Sequence, residues 1–296
     1  MDRKPRNINP FTDFGFKKLF GEEVTKDLLL DFINAVLEGE TEPIVNLAYS
    51  KNEHLGQMKL DRKVVFDIYC VTSSGERIIV EMQKAFQFHL KDRSLYYTTF
   101  PIQEQSVKGD WDFSLKAVYC ISVLDFRLFG VPEDSSYLHR VGLVDRVTGK
   151  LFSNKLHFIY LEVPKFLKEP EKLETKFDKW MYVLKNLEFL DRIPEGIQEK
   201  IFSKVMEIAE LANMEKKDRK AYEESLKNYR DLKNALDSSE EKGMAKGIEK
   251  GIEKEKKNSI VNFYNAGAPL EMISQASGLE LEVVKTLLKE AGFGDL

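Results

Sequence analysis

Only two cysteines, Cys70 and Cys120, occur in 296 residues, and both fall inside apolar strand-like runs. That is too few for a disulfide framework, so they read as reduced core thiols of a cytoplasmic protein. No apolar run is long enough to cross a bilayer. The start, "MDRKPRNINP", carries charge with no apolar segment behind it, so neither a secretory signal nor a membrane span is expected. Histidine is scarce: His54, His89, His139 and His157 show no metal-ligand spacing, and none accompanies a candidate nucleophile. A phosphate-cradling glycine loop and a serine-hydrolase elbow are also missing. Nor is there an excess of positive charge. Lys and Arg number 45 against 49 Asp and Glu, a net charge of −4. Bulk charge therefore does not hold this chain on nucleic acid, although a local basic rim beside a metal still can.

What is present suits a globular protein with a highly charged surface: 43% hydrophobic and 32% charged residues, with a mean hydropathy of −0.37. The length allows one large domain with appendages, or two modest ones. Near the start, Val24, Leu28, Phe32 and Ala35 recur at helical spacing, and Gly39 is placed to end that helix. "PIVNLAYS" reads as a strand. "RKVVFDIYCVT" and "ERIIVEMQKAF" are two β-rich runs joined by a hairpin-length "SSG". "FHLKDRSLYYTTFPIQEQSV" is helical, with Pro101 expected to kink or shorten it. "LKAVYCISVLDF" is a further buried strand, giving the order α-β-β-β-α-β. A loop is expected near "VPEDSSYLHRVG", then a strand at "KLHFIYLEVPKF" ended by Pro164. From Leu173 onward the pattern is helical.

Asp67 and Glu81 stand within the two β-rich runs, where a carboxylate is costly unless paired, hydrogen-bonded or metal-bound. Alternation places Lys63, Val65, Asp67 and Tyr69 on one face of the first run, and Ile79, Glu81 and Gln83 on one face of the second. If "SSG" pairs the strands, the two acids converge. Two carboxylates make an oxygen-rich site suited to Mg²⁺ or Mn²⁺ rather than zinc. Such an ion polarises a phosphate and activates water for attack. On spacing alone, each acid reads equally as an edge residue or a salt-bridged structural group.

A strand Asp, a turn, then Glu-x-Gln on the next strand, within α-β-β-β-α-β, resembles the PD-(D/E)xK nuclease superfamily. "TDFGFKKLF", "DRKVVFD", "IVEMQ" and "DRSLYY", with the "KWMYVLKN" helix and the glycine-repeat tail, resemble its recombination-promoting nuclease and transposase branch. The resemblance runs through most of the chain. It implies a restriction-endonuclease-like α/β core with a mixed sheet and an all-helical C-terminal region. It also implies Mg²⁺-dependent (or Mn²⁺-dependent) endonucleolytic hydrolysis of DNA in recombination or mobile-element biology. Asp67, Glu81 and the Met82 backbone carbonyl would be the metal ligands. Gln83 would stand where the superfamily usually has lysine, able to hydrogen-bond but carrying no charge. Lys63, Arg93, Asp13 and Lys17 would face substrate, with Lys18 in the same opening block. Lys63 and Arg93 also read as a solvated lysine and a local ion-pair partner, and Asp13 as a helix cap. Lys84 should point away unless the strand ends there, and Tyr96 and Tyr97 read as packing residues.

The expected organisation is a nuclease-like domain over 1–170, a helical extension over 171–239, a glycine-repeat linker helix over 240–257 and a helix-turn-helix-like tail over 258–296. Gly243, Gly247 and Gly251 share one helix face, either for close packing on a partner or as a mobile linker. The tail reads as three short helices. Its last one, "LELEVVKTLLKE", has several acids and no arginine, which favours packing or oligomerisation over base reading. DNA is the expected partner, with a homo-oligomer through the helical tail as a second association and no membrane partner. The rival function is a catalytically weak relative acting as a DNA- or protein-binding module.

Overall fold

The computed structural model describes residues 4–51, 53–54, 64–106, 112–129 and 135–294. Two compact units result, Met1–Lys233 and Asn234–Leu296.

The first unit opens with two helices where one was expected. Thr12 caps α1 (Asp13–Phe20) by accepting the Gly15 N–H at 3.0 Å, so the capping role weighed for Asp13 belongs to its neighbour. Gly21 ends α1, and α2 (Lys26–Val36) follows. Leu28, Leu29, Phe32, Ile33 and Val36 of α2 are all buried, as its apolar spacing demands.

The strands are β1 (Leu47–Tyr49), β2 (Glu53–His54), β3 (Val64–Val65), β4 (Ile68–Thr72) and β5 (Arg77–Gln83). Beyond them come α3 (Leu90–Gln103), β6 (Val118–Leu124), β7 (Leu138–Val144) and β8 (Leu151–Glu162). β2 and β3 form a separate antiparallel pair. The others make a six-stranded mixed sheet in the order β1-β4-β5-β6-β8-β7. Its centre, β5-β6-β8, is parallel, and its flanks are antiparallel.

The run expected as one strand from Val64 to Cys70 is broken at Phe66–Asp67. The reason lies in what each side chain buries against. Phe66 and Tyr69 both enter the cluster of Ile79 and Leu90, whereas Ile68 and Cys70 enter the opposite cluster with Val80 and the α2 residues. An unbroken strand would put Phe66 and Ile68 on one face, so the chain bends to bury all four. β7 occupies part of the segment whose sequence suggests a loop. It is an edge strand with mostly exposed side chains and a register shift at Gly142–Val144, so it carries no period-two apolar signal.

One sheet face is covered by α2, α4 (Lys176–Asn186) and α5 (Lys200–Ala209). Trp180 is fully buried there, edge-on to Phe32 and Phe202, with its Nε1–H donating to Asp31 at 2.7 Å. Thr175 and Asp178 form a reciprocal capping box on α4. The other face carries α3. Both thiols lie in the sheet, pushed up to about 12 by burial and thus inert. Glu162, wholly buried at the end of β8, is satisfied by Lys165 at 3.1 Å, His139 at 2.8 Å and the Leu128 N–H at 2.8 Å.

The long helix α6 (Lys216–Asn265) begins in the first unit and ends in the second. Its opening turns return to the N-terminal segment. The Tyr222 hydroxyl accepts the Asn9 N–H at 2.9 Å, and Ser225 Oγ accepts the Phe14 N–H at 3.1 Å. Farther along, the Tyr229 hydroxyl donates to Asp125 Oδ2 at 2.6 Å and Lys233 pairs with the same carboxylate at 2.7 Å.

The second unit comprises the end of α6, α7 (Leu270–Ser277) and α8 (Leu281–Glu290), joined at Gly278 with φ +68°. Ile260, Ile273, Val284 and Leu288 form its core. The first of the three short helices expected here is the end of α6. Gly243, Gly247 and Gly251 lie inside α6, and a Cβ on any of them would meet nothing within 4 Å. Among the described residues no helix is long and apolar enough to cross a membrane.

Candidate active site

Pairing of Ile68 with Val80 in the antiparallel β4–β5 register sets Asp67 directly opposite Glu81. The two acids brace each other through the backbone. The Asp67 N–H donates to Glu81 Oε1 at 3.1 Å, and the Met82 N–H donates to Asp67 Oδ2 at 2.8 Å. Glu81 is 3% exposed. Burial, and then the Asp67 charge, push it up to about 8. Asp67 is also raised, by burial and by nearby Asp13, while the Met82 N–H, Lys17 and Arg93 oppose the rise. A buried acid and a part-buried one facing each other cannot both stay charged cheaply without a cation.

Among the described residues no group of three or more His, Cys, Asp or Glu side chains is arranged to hold a metal. The oxygen set here is two carboxylates and a backbone carbonyl. N–H and C=O of one strand residue point the same way, so the Met82 carbonyl faces the Asp67 edge along with its N–H. Such a set fits Mg²⁺ or Mn²⁺, hard ions that take oxygen, and Mg²⁺ keeps several waters when few protein ligands are supplied.

The other residues singled out from the sequence divide. Gln83 is buried and its Nε2 donates to Glu81 Oε2 at 3.3 Å, so its amide addresses the acid pair. Arg93 on α3 reaches the same oxygen at 3.3 Å, its guanidinium lying 4.8 Å over the Tyr97 ring. Tyr97 packs edge-on against Phe66, and Tyr96 against Phe100. Asp13 and Lys17 on α1 lie within electrostatic reach of Asp67. Lys18 turns away to Asp218 at 3.0 Å and Glu22 at 3.4 Å. Lys63 lies outside the described residues.

Lys84 meets the condition under which it turns toward the site. β5 stops at Gln83, the alternation lapses, and the Lys84 ammonium pairs with Asp13 at 2.9 Å. Sequence reasoning missed Gln87, whose Oε1 accepts from Arg93 at 3.2 Å. The Lys84 pairing depends on where the distant helix α1 arrives, whereas Gln87 meets Arg93 only six residues on.

No curated protein and no solved structure matches the chain. A family model described as "PD-(D/E)XK nuclease family transposase" matches residues 10–239, a span that contains Asp13, Asp67, Glu81, Gln83 and Arg93. With Asp67 at the bend before β4 facing Glu81 on β5 of a mixed sheet, the chain belongs to the PD-(D/E)XK nuclease family of transposases.

Proposed function

We propose that this protein is a Mg²⁺-dependent (or Mn²⁺-dependent) DNA endonuclease acting in recombination or on mobile elements. The observation that carries the reading is the facing pair of part-buried Asp67 and buried Glu81, each accepting a backbone N–H from the other's side. Asp67, Glu81 and the Met82 carbonyl would hold the ion, which supplies phosphate polarisation and activation of water when bound. Glu81 has a raised proton affinity, so it gives up its proton as a cation arrives.

Gln83 donates an uncharged hydrogen bond at the place where the superfamily lysine would stand. Positive charge then comes from Arg93, whose planar fork suits a phosphate. Lys17 and Lys84 stand beside Asp13 and orient the substrate backbone, and Lys63 precedes Asp67 in the same block. Asp13 holds Lys84 by its ion pair.

The division of labour proposed along the chain is a nuclease domain over 1–170 and a helical extension over 171–239. The linker helix over 240–257 and the tail over 258–296 then serve association between copies. The test is incubation of purified protein with supercoiled plasmid in Mg²⁺, Mn²⁺ or EDTA, beside Asp67→Ala. Cleavage that needs both the ion and Asp67 supports the reading. Cleavage unaffected by Asp67→Ala, or absent with either ion, sinks it.

A further inference from the structure

The loop between β5 and α3 exposes aromatic surface immediately after the acid pair. Phe88 is 91% exposed and Phe86 46% exposed. Their rings meet edge-on at 5.4 Å. Phe86 is anchored from beneath by Phe126 at 5.9 Å, itself packed on the α3-side core. Between them, Gln87 accepts from Arg93, and the same guanidinium donates to Glu81. One side chain therefore ties the aromatic loop to the acid pair. Phe88 and Phe86 thus form a contiguous exposed aromatic pair beside the acid pair, the kind of surface that marks a binding site.

We propose that Phe88, backed by Phe86, is a stacking platform for an unpaired nucleic-acid base beside the cleaved phosphate. This deepens the nuclease reading and rests on it. A phosphodiester lies between two nucleosides, so what flanks the acid pair in the complex is a base or a sugar. Inside a duplex both faces of every base are taken by its neighbours. An exposed ring here finds a partner only where a base has a free face, as in a single strand, a gap, an overhang or a branch. Lys84 and Lys91 flank the aromatic pair in the chain, Lys84 paired with Asp13 at 2.9 Å and the Lys91 ammonium 4.5 Å over the Phe129 ring. The substrate class is thus DNA with unpaired bases at the cut, rather than continuous duplex.

The test uses the full-length protein in EDTA, where cleavage is stopped, and measures fluorescence anisotropy with blunt duplex and gapped duplex of one sequence. A 2-aminopurine in the gap reports stacking. Parent and Phe88→Tyr should bind the gapped DNA more tightly than the blunt DNA and quench the probe. Phe88→Ala should lose about tenfold on gapped DNA, the effect of one stacked base, and change little on blunt duplex. Phe88 is exposed, so an unchanged thermal melt is expected for each variant.

Equal binding of gapped DNA by parent and Phe88→Ala overturns the platform. So does an equal loss on both DNAs, or a Phe88→Ala change in sedimentation that assigns the surface to a second copy. Nicking of the same gapped DNA in Mg²⁺ or Mn²⁺ by parent and Asp67→Ala is run alongside. Asp67-dependent nicking with no Phe88 effect rejects the platform and keeps the nuclease. A Phe88 effect on binding without nicking of that DNA leaves a base-stacking surface and rejects the nuclease, and with it the platform's place beside a cleaved phosphate.

Discussion

Glu81 Oε1 accepts the backbone N–H of Asp67 at 3.1 Å across the β4–β5 pair. Each acid is therefore held by the strand of the other, and neither can move without disturbing the shared edge. In the proposed site both carboxylates would be presented to a cation by backbone geometry.

That arrangement predicts a pH-dependent stability in the absence of metal. Folding raises Glu81 from 4.5 to about 8, chiefly by burial and then by Asp67. The folded state then holds a proton that the unfolded state has released, so stability falls as pH rises from about 4.5 to about 8. Thermal melts in EDTA across this range should show the decline, and Glu81→Gln should flatten it. Added Mg²⁺ should restore stability most at the alkaline end, where no proton competes for the carboxylate. A parent protein whose melting point rises over this range contradicts the placement of the acid pair.

Gln83 offers the sharpest separation of metal holding from charge stabilisation. A positioned donor to developing charge is worth about 3 kcal/mol, roughly a hundredfold in rate. Gln83→Ala should lower the cleavage rate by about that factor. Its Mn²⁺ affinity, read by calorimetry, should stay near the parent value, whereas Asp67→Ala and Glu81→Ala should lose binding. Gln83→Lys would set an ammonium beside Glu81 Oε2, now 3.3 Å from the amide. It should shift the pH–rate profile to lower pH. Parent-like cleavage by Gln83→Ala would return the charge role to Arg93 or Lys63.

Arg93 is shared between Glu81 and Gln87 through separate nitrogens. Lysine cannot reproduce that fork. Arg93→Lys and Arg93→Ala should therefore both cut kcat/KM, by roughly tenfold or more if a charged hydrogen bond to phosphate is lost. Full activity in Arg93→Lys would show that only a point charge is needed.

The core prediction concerns Trp180. It is fully buried among Phe20, Phe32 and Phe202 and bonded to Asp31. Trp180→Ala should cost about 3–5 kcal/mol in chemical denaturation, as large aromatic deletions do. Loss of under about 1 kcal/mol would mean that the α2–α4 packing is not central to the first unit.

Truncation separates the helical segments. Ending the chain after Ser239 keeps Tyr222, Tyr229 and Lys233 on Asn9 and Asp125, and plasmid nicking per folded molecule should persist. Ending it after Glu215 removes Tyr222 from the core, and the melting temperature should fall by several degrees. Complete loss of cleavage in a well-folded Ser239 truncation would contradict the assignment of chemistry to the first unit.

Much of the architecture is legible in the sequence. The apolar period of α2, the buried runs of β5 and β6 and the short turn at "SSG" each specify their element, because burial of one face is a local pattern. The shared face of Glu81 and Gln83 follows from the same rule. Other features do not. The bend at Phe66–Asp67 arises because Phe66 and Tyr69 must enter one core while Ile68 enters the other, a choice made by the helices on each side. β7 left no alternation to read because its side chains are exposed at an edge.

The sequence by itself determined that Glu81 and Gln83 share a face of β5, and that Asp67 and Glu81 would meet if their runs paired. Only the tertiary structure decided what surrounds them: Arg93 from α3, Asp13 with Lys84 at the end of β5, and the first turns of α6 folded back on Asn9 and Asp125. Periodicity orients residues within one element, whereas encounters between elements far apart in the chain are selected by the packing of the whole core.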